Sequence, residues 1–339
     1  MSVQLVNIIG NRALKERLSD EIEGKIFPHA YIIEGSKGSG RHTLARNIAA
    51  ALSCLGQGAA PCGCCKNCKK IFSDSSPDII IQGVDEDKTT VGVDVVRRIR
   101  DDMATAPNDL DIKVYIVEDA DSLTPQAQNA FLLSLEEPPE YVIFFLICEN
   151  SSSLLETVRS RAPVLRLERL SCGEVEKYLL DNDKRASQLK NEDKAAFDTV
   201  IFAADGCIGK ALELLDAKKR KRLLDERATV HGIISALSSK DRAKVLSALD
   251  SLGSKRPEVA RSLISVQNAV RDLMLLKKAD NVKLCFYPIK EEAAELSSHY
   301  SSASLILLYD ALCGASDELE ANSNVRVTLL NMAQKANLI

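Results

Sequence analysis

Residues 113–168 read KVYIVEDADSLTPQAQNAFLLSLEEPPEYVIFFLICENSSSLLETVRSRAPVLRLE, and this segment has the clearest fold pattern in the chain. It opens with a short apolar run, continues with helical apolar spacing as far as two adjacent prolines, and then enters a second apolar run. Continuous apolar runs of this length indicate strands buried on both faces, and prolines end helices. The stretch therefore predicts a strand, a helix, a second strand and a turn at Ser160 and Arg161, as in the second half of an α/β core.

The same alternation extends towards the N-terminus. Helical apolar spacing runs from Leu5 to Ile26, and a buried strand is predicted at Ala30–Glu34, directly before a glycine-rich loop. A helix, a strand and another helix are predicted at Thr43–Cys54, Asp78–Gln82 and Asp94–Met103. Strands that alternate with helices favour a parallel sheet.

The second half of the chain is predicted to be helical. Strand signals fade after Ser171, and from about Lys218 the helical spacing continues to the end, with one apolar stripe at Leu263, Val266, Val270 and Leu273. We expect three domains: an α/β core at 1–168 with a cysteine-rich module at 54–68, a small helical domain at 169–217, and an all-helical domain at 218–339 that packs against other chains.

Composition excludes several classes of protein. The chain has 339 residues, 45% of them hydrophobic, which is enough for sizeable cores. Its net charge of -4 disfavours a protein that binds nucleic acid through overall charge, so a DNA contact would be local or shared with partners. No apolar run reaches the length of about 18 residues that spans a membrane, and the start lacks a secretory signal. We expect a cytoplasmic protein.

Residues 35–43, GSKGSGRHT, form a degenerate phosphate-binding loop. In the pattern GxxxxGK[ST], backbone N–H groups surround the phosphates, the lysine neutralises their charge and the hydroxyl holds magnesium. Here an arginine and a histidine occupy the lysine and hydroxyl positions, and a threonine comes one residue late. Loop amides alone can retain some affinity for ATP or ADP; alternatively, the loop only connects a strand to a helix. The candidate nucleotide-binding residues are Gly35, Gly38, Gly40, Arg41, His42 and Thr43.

Two carboxylates complete the candidate nucleotide site. The strand at 114–117 ends in Glu118 and Asp119, whereas the usual order for magnesium binding and water activation is aspartate followed by glutamate. The swap displaces each carboxylate by about a methylene, and small errors in positioned groups cost large factors in rate. We expect slow hydrolysis or none; an acidic turn without a catalytic role is the alternative.

Five of the ten cysteines fall between Cys54 and Cys68. Cys54, Cys62, Cys65 and Cys68 have the spacing C-x7-C-x2-C-x2-C on a segment rich in turns, which is typical of a closed structural zinc site. Cys64 is a fifth thiol that could replace Cys65 as a ligand. Because four thiolates complete the coordination of Zn²⁺, we expect the metal to be structural.

Arg161 follows the second core strand. An arginine at such a turn can reach the γ-phosphate bound by a neighbouring subunit, as an arginine finger in trans. The alternative is a surface salt bridge, and Arg159 and Arg166 are equally suited to one.

These segments together resemble the bacterial DNA polymerase III clamp-loader family, AAA+ proteins that open a ring-shaped sliding clamp and place it on primed DNA. The resemblance is carried by the sequence HAY at 29–31, the four cysteines, the sequence AQNAFLLSLEEPP at 127–139, and Ser160 with Arg161. It implies an AAA+ P-loop core with a zinc-knuckle insertion, a small helical lid domain, and a C-terminal collar that joins tau/gamma and delta subunits in a hetero-oligomeric ring.

The resemblance also implies a role. The hydrolysing members, tau or gamma, carry the intact loop, the aspartate–glutamate order and a sensor arginine at the position of Gly209, and this chain departs from all three patterns. Retention of Arg161 without them is similar to the delta-prime branch, whose members offer the finger to an adjacent ATPase. We expect little ATPase activity of its own. A divergent tau/gamma-type ATPase and a zinc-bearing adaptor are the alternatives.

Overall fold

The computed structural model describes residues 3–5, 8–84, 90–239, 241–279 and 282–338. The chain divides into two compact units. The first contains Met1–Asn182 and Gly206–Ala211, and the second contains Asp183–Asp205 and Leu212–Ile339. The division into three domains at 168 and 217 stays a prediction.

The first unit is built on a parallel sheet, as predicted. The described strands are β1 Ala30–Glu34, β2 Ile79–Gln82, β3 Lys113–Val117, β4 Val142–Cys148 and β5 Val164–Arg166. They lie in the order β2-β3-β4-β1-β5, and every pairing is parallel. The central strands are mostly apolar because helices cover both faces, and Tyr31, Tyr115, Phe144 and Phe145 are fully buried.

Helices flank this sheet. Thr124 caps the helix predicted within residues 113–168, since its side chain accepts a hydrogen bond from the Ala127 N–H and Pro125 occupies the first helical position. That helix buries Phe131 and Leu135 against the sheet, and it ends just before the two prolines. The helices are α1 Arg12–Glu23, α2 Arg41–Leu52, α3 Lys66–Phe72, α4 Val93–Met103, α5 Pro125–Glu136, α6 Glu156–Arg159 and α7 Cys172–Asn182.

The expected helix over Leu5–Ile26 is wrong in its first part. The backbone of Gly10 and Asn11 has φ of 59° and 49°, a left-handed conformation that cannot continue a helix, and α1 begins only at Arg12. Val3 instead forms an isolated parallel bridge with Ala60.

The second unit is helical in its described residues. The predicted stripe on its long central helix is confirmed, since all four of its residues are buried. Asp272, on the same helix, is fully buried and accepts backbone N–H groups from Cys285, Phe286 and Tyr287, which fixes the irregular segment after the helix. The helices are α8 Lys184–Glu192, α9 Lys194–Ala204, α10 Ile208–Leu214, which crosses the division, α11 Ala217–Ser238, α12 Arg242–Asp250, α13 Arg256–Leu276, α14 Lys290–Ser298, α15 Ser302–Glu320 and α16 Val325–Lys335.

Every helix in the described ranges is too short or too polar to span a bilayer.

Candidate functional site

The degenerate phosphate loop lies between β1 and α2, as predicted. Gly38 and Gly40 have φ of 83° and 98°, so both positions require the left-handed conformation that glycine adopts freely. Arg41 is 7% exposed, and its Nη1 atom and the Ser39 hydroxyl are buried without a hydrogen-bond partner among the described residues. Thr43 is exposed. The loop therefore has glycine at two positions that need a left-handed backbone, and its arginine is buried.

The start of α10 lies directly against this loop. The Gly209 N–H donates to the Gly38 carbonyl at 2.9 Å. A methyl group on Gly38 would lie 2.8 Å from the Lys210 nitrogen, and one on Gly209 would lie 2.9 Å from the Gly38 Cα atom. Only two glycines allow so close an approach. A second link joins the Arg169 guanidinium to the Ser36 hydroxyl at 3.3 Å. The phosphate loop is thus covered in part by this chain's own backbone.

The two predicted carboxylates, Glu118 and Asp119, lie in different environments. Glu118 Oε1 lies 3.5 Å from Nδ1 of His42, the residue at the magnesium position. Burial lowers the pKa of His42, against the opposing effect of Glu118. Asp119 has a left-handed φ of 46° and lines an open cleft with Asp121 and Glu149. Glu118 therefore lies beside the phosphate loop, and the imidazole of His42 faces its carboxylate.

The four predicted metal ligands are close together. The Sγ atoms of Cys54, Cys62, Cys65 and Cys68 all lie within 4.8 Å of one another. Sulfurs around a tetrahedral zinc ion, each about 2.3 Å from the metal, are about 3.8 Å apart. The donor set and its spacing therefore fit Zn²⁺, whereas Cys64 lies outside the group of four.

Backbone amides support these sulfurs. The Cys65 N–H donates to Cys62 Sγ at 3.3 Å, and the Cys68 N–H donates to Cys65 Sγ at 3.4 Å. Hydrogen bonds from the backbone N–H groups of Cys65 and Cys64 lower the pKa of Cys62 to about 6. Such bonds favour the thiolate form that a metal requires and orient the ligands. The four residues could hold zinc in a closed structural site, with Cys68 in a small apolar core.

Arg161 lies at the turn after α6. Its Nη2 is 2.5 Å from Glu136 Oε1, its Nη1 donates to the Thr157 carbonyl at 3.0 Å, and its side chain is 35% exposed. Sequence reasoning missed Glu136 as its partner. The sequence feature that could have indicated this pairing is the acidic residue in the last turn of α5, just before the prolines. The roles of Arg161 and of the nucleotide and metal residues stay predictions.

The chain is similar to several subunits of bacterial DNA polymerase III. Residues 10–171 match the family model described as "DNA polymerase III, delta subunit". Over 95% of its length the chain is 28% identical to the DNA polymerase III subunit tau of Bacillus subtilis, covering 59% of that protein. It is 33% identical to the subunit delta' of the same organism, over 49% of this chain and 50% of the relative. It is also 26% identical to the subunit gamma of Buchnera aphidicola, over 94% and 90% of the two chains.

The chain spans between 50% and 59% of the length of the first curated relatives it matches. The gamma subunit, by contrast, is matched over nearly its whole length, across the sheet and the C-terminal helices alike. In its parallel sheet, in the phosphate loop at the end of β1 and in these matches, the chain is similar to the clamp-loader subunits of DNA polymerase III.

Proposed function

We propose that this chain is a delta-prime-type subunit of the bacterial DNA polymerase III clamp loader. In this role it helps to load the sliding clamp onto primed DNA, hydrolyses little or no ATP itself, and supplies Arg161 in trans to a neighbouring ATPase subunit. The observation that carries the proposal is the contrast between an altered, partly covered phosphate loop and a partly exposed arginine at the turn after α6.

The altered loop supports a loss of hydrolysis. The Arg41 guanidinium is buried, and His42 lies opposite Glu118 where the family has a hydroxyl that holds magnesium. Without that hydroxyl the loop lacks a magnesium ligand, and magnesium neutralises the charge that develops during phosphoryl transfer. The backbone contact between Gly38 and Gly209 further restricts access to the loop.

The setting of Arg161 supports an action in trans. A single guanidinium nitrogen contacts Glu136, and the two side chains are 35% and 44% exposed. An ion pair this exposed contributes only about 0–1 kcal/mol. The guanidinium can therefore exchange the carboxylate for a neighbour's phosphate, with which arginine forms stronger, bidentate hydrogen bonds.

The remaining parts of the chain fit an assembly subunit. We infer that 169–217 is a lid and that 218–339 is a collar joined to tau/gamma and delta subunits in the cytoplasm, with clamp and primed DNA contacted through the complex. Zinc bound by the four cysteines would supply folding free energy to the 54–68 loop, since a closed thiolate site leaves no position for substrate.

A divergent tau/gamma-type ATPase is the second candidate. It is favoured by one observation: the Arg41 Nη1 atom and the Ser39 hydroxyl are buried without described partners, and a bound phosphate would satisfy both.

The experiment is ATP turnover by a loader reconstituted from this chain, its cognate ATPase and delta, with clamp and primed DNA. Arg161→Ala is compared with wild type and with Arg159→Ala, an exposed arginine two residues away. We expect Arg161→Ala to lower turnover at the adjoining site by about 10³-fold or more, with Arg159→Ala unchanged. Equal turnover in the three complexes, after assembly is shown to be equal, overturns the proposal.

A further inference from the structure

The sheet of the first unit has an open edge at β5. Among the described strands β5 pairs with β1 alone, so the other side of this strand is not part of the sheet. A groove of about 460 Å³ lies at this side. Residues of α1 line it, among them Leu14 and Arg17, and so do Val164 and Arg166 of the strand. The groove therefore gives access to the edge of a strand.

The backbone of β5 has hydrogen-bonding groups that face the groove. In a parallel pair, alternate residues of a strand bond to the neighbouring strand. The Leu167 N–H donates to the Glu34 carbonyl of β1 at 2.8 Å, so the odd-numbered residues of this segment face β1. The N–H and C=O groups of Val164 and Arg166 consequently face away from β1, towards the groove that these two residues line.

One further group in this row already has a partner from outside the sheet. The Glu168 N–H, which follows in the same two-residue series, donates to Asn11 Oδ1 at 2.8 Å. Asn11 precedes α1 and also lines the groove. The edge therefore accepts pairing with an amide-type oxygen, and a peptide carbonyl is the same kind of acceptor.

Two arginines determine the charge of the groove. Arg17 Nε contacts Glu21 Oε1 at 2.8 Å, and Arg166 Nε contacts Glu34 Oε1 at 3.4 Å. Both ion pairs use Nε, and a guanidinium has five N–H donors, so its terminal nitrogens can bind a further carboxylate. The Arg166 side chain is 72% exposed. The groove is thus suited to an acidic ligand.

The same charges argue against edge-to-edge pairing of two copies of this chain. Such a dimer would bring Arg17 and Arg166 of one copy to the groove that holds them in the other. Charged side chains on an edge strand are a common means by which proteins avoid this kind of association. A partner with carboxylates meets no such repulsion.

We propose that the β5 edge is a docking site for an extended, acidic segment of a partner protein, which adds to the sheet as a further strand. The backbone of the segment pairs with Val164 and Arg166, and its carboxylates bind Arg17 and Arg166. In strand addition of this kind, main-chain hydrogen bonds give affinity and side chains give specificity. The site uses neither Arg161 nor the phosphate loop, so it is independent of the proposed function.

The test uses the full chain and a capped, fluorescently labelled hexapeptide that alternates valine with glutamate. Binding is measured by fluorescence anisotropy, and the control peptide has lysine in place of glutamate. Arg166→Glu is compared with wild type and with Arg97→Glu, which reverses another exposed charge, on α4. We expect the acidic peptide to bind wild type and Arg97→Glu equally and to bind Arg166→Glu at least about tenfold more weakly, because repulsion replaces a charged hydrogen bond.

Amide hydrogen exchange in the wild-type chain distinguishes strand addition from contact with side chains alone. The acidic peptide should slow exchange at Arg166, whose N–H faces the groove. It should leave exchange at Leu165 unchanged, since that residue faces β1. The measurement is made by NMR at single-residue resolution, and it does not depend on the folding of any variant.

Four results would overturn the inference. The first is equal binding of the acidic and lysine peptides, and the second is equal binding of the acidic peptide by wild type and Arg166→Glu. The third is a complex in which exchange at Arg166 is unchanged. The fourth is a wild-type chain that does not bind the acidic peptide; if it forms a dimer that Arg166→Glu disrupts, the edge is an interface between copies of this chain.

Discussion

The contact between Gly38 and Gly209 leads to a prediction for Gly209→Ala. Alanine is a better helix former than glycine, and in the first turn of α10 it would ordinarily stabilise the protein by about 0.5–1 kcal/mol. In this structure the added methyl group would lie 2.9 Å from the Gly38 Cα atom and 3.0 Å from its carbonyl oxygen. We therefore expect the substitution to destabilise the chain.

The magnitude follows from the geometry. Carbon atoms in contact are about 3.5–4.0 Å apart, so the two backbones must separate by roughly 0.6 Å or more. Both opposing atoms belong to the backbone, and no side-chain rotation can relieve the contact. The 2.9 Å hydrogen bond between the same residues would be stretched or lost. Overpacking of this kind costs about 1–3 kcal/mol, and the lost hydrogen bond about 1 kcal/mol. After the gain in helix propensity, we expect a net loss of about 1–3 kcal/mol.

The assay is thermal and urea unfolding of the purified chain. Gly173→Ala is the matched control, since that glycine is also in a helix of the first unit and a methyl group there meets no atom within 4 Å. We expect Gly209→Ala to lower the melting temperature by about 2–10 °C and Gly173→Ala to leave it unchanged or higher. A Gly209→Ala protein as stable as the control would contradict the contact between the phosphate loop and α10.

Further predictions concern the metal site, the finger and the core. Cys65→Ser should lower bound zinc well below one ion per chain, measured by metal analysis of protein purified without chelator, because a hydroxyl is a poor replacement for a thiolate ligand. Glu136→Gln should change the turnover of the assembled loader by no more than about fivefold, since its exposed ion pair with Arg161 contributes at most about 1 kcal/mol; a loss as large as that of Arg161→Ala would make Glu136 essential. Asp78 is fully buried and accepts three backbone N–H groups from the 108–110 turn at 2.7–2.8 Å, so Asp78→Asn should destabilise the chain to urea by about 1–3 kcal/mol. Although burial raises the pKa of Asp78, these N–H groups hold it below the usual value, and its contribution to stability should be lost as the pH falls below about 4; an unchanged unfolding midpoint between pH 6 and pH 3 would contradict this.

Local sequence patterns were sufficient to predict most of the strands in the sheet. The apolar runs at 30–34 and 114–117 are strands because their residues are buried on both faces, and that property is visible in the sequence. The start of α1 was not predictable from apolar spacing, since the left-handed backbone of Gly10 and Asn11 ends the periodic pattern without a change in hydrophobicity. Strand order was equally out of reach, because pairing depends on contacts between distant residues.

In the candidate site, too, the sequence predicted local groups of residues but not contacts between distant ones. The spacing of Cys54, Cys62, Cys65 and Cys68 predicted a group that the structure does bring together, whereas the contact of Cys64 with one of its members depends on a single turn. The Gly38–Gly209 contact joins residues 171 positions apart in the chain, and no local pattern reports it. The pairing of Arg161 with Glu136 is of the same kind.

In the proposed role, ATP hydrolysis by the assembled loader needs Arg161 and not this chain's own phosphate loop. The most direct measurement compares ATP turnover in one assembled loader with clamp and primed DNA, carrying either Arg161→Ala or Arg41→Ala in this subunit, after equal assembly is shown by size-exclusion chromatography. We expect a large loss of turnover for Arg161→Ala and wild-type turnover for Arg41→Ala. The reverse pattern, with turnover lost in Arg41→Ala and retained in Arg161→Ala, would contradict the proposed function and identify this chain as a divergent ATPase.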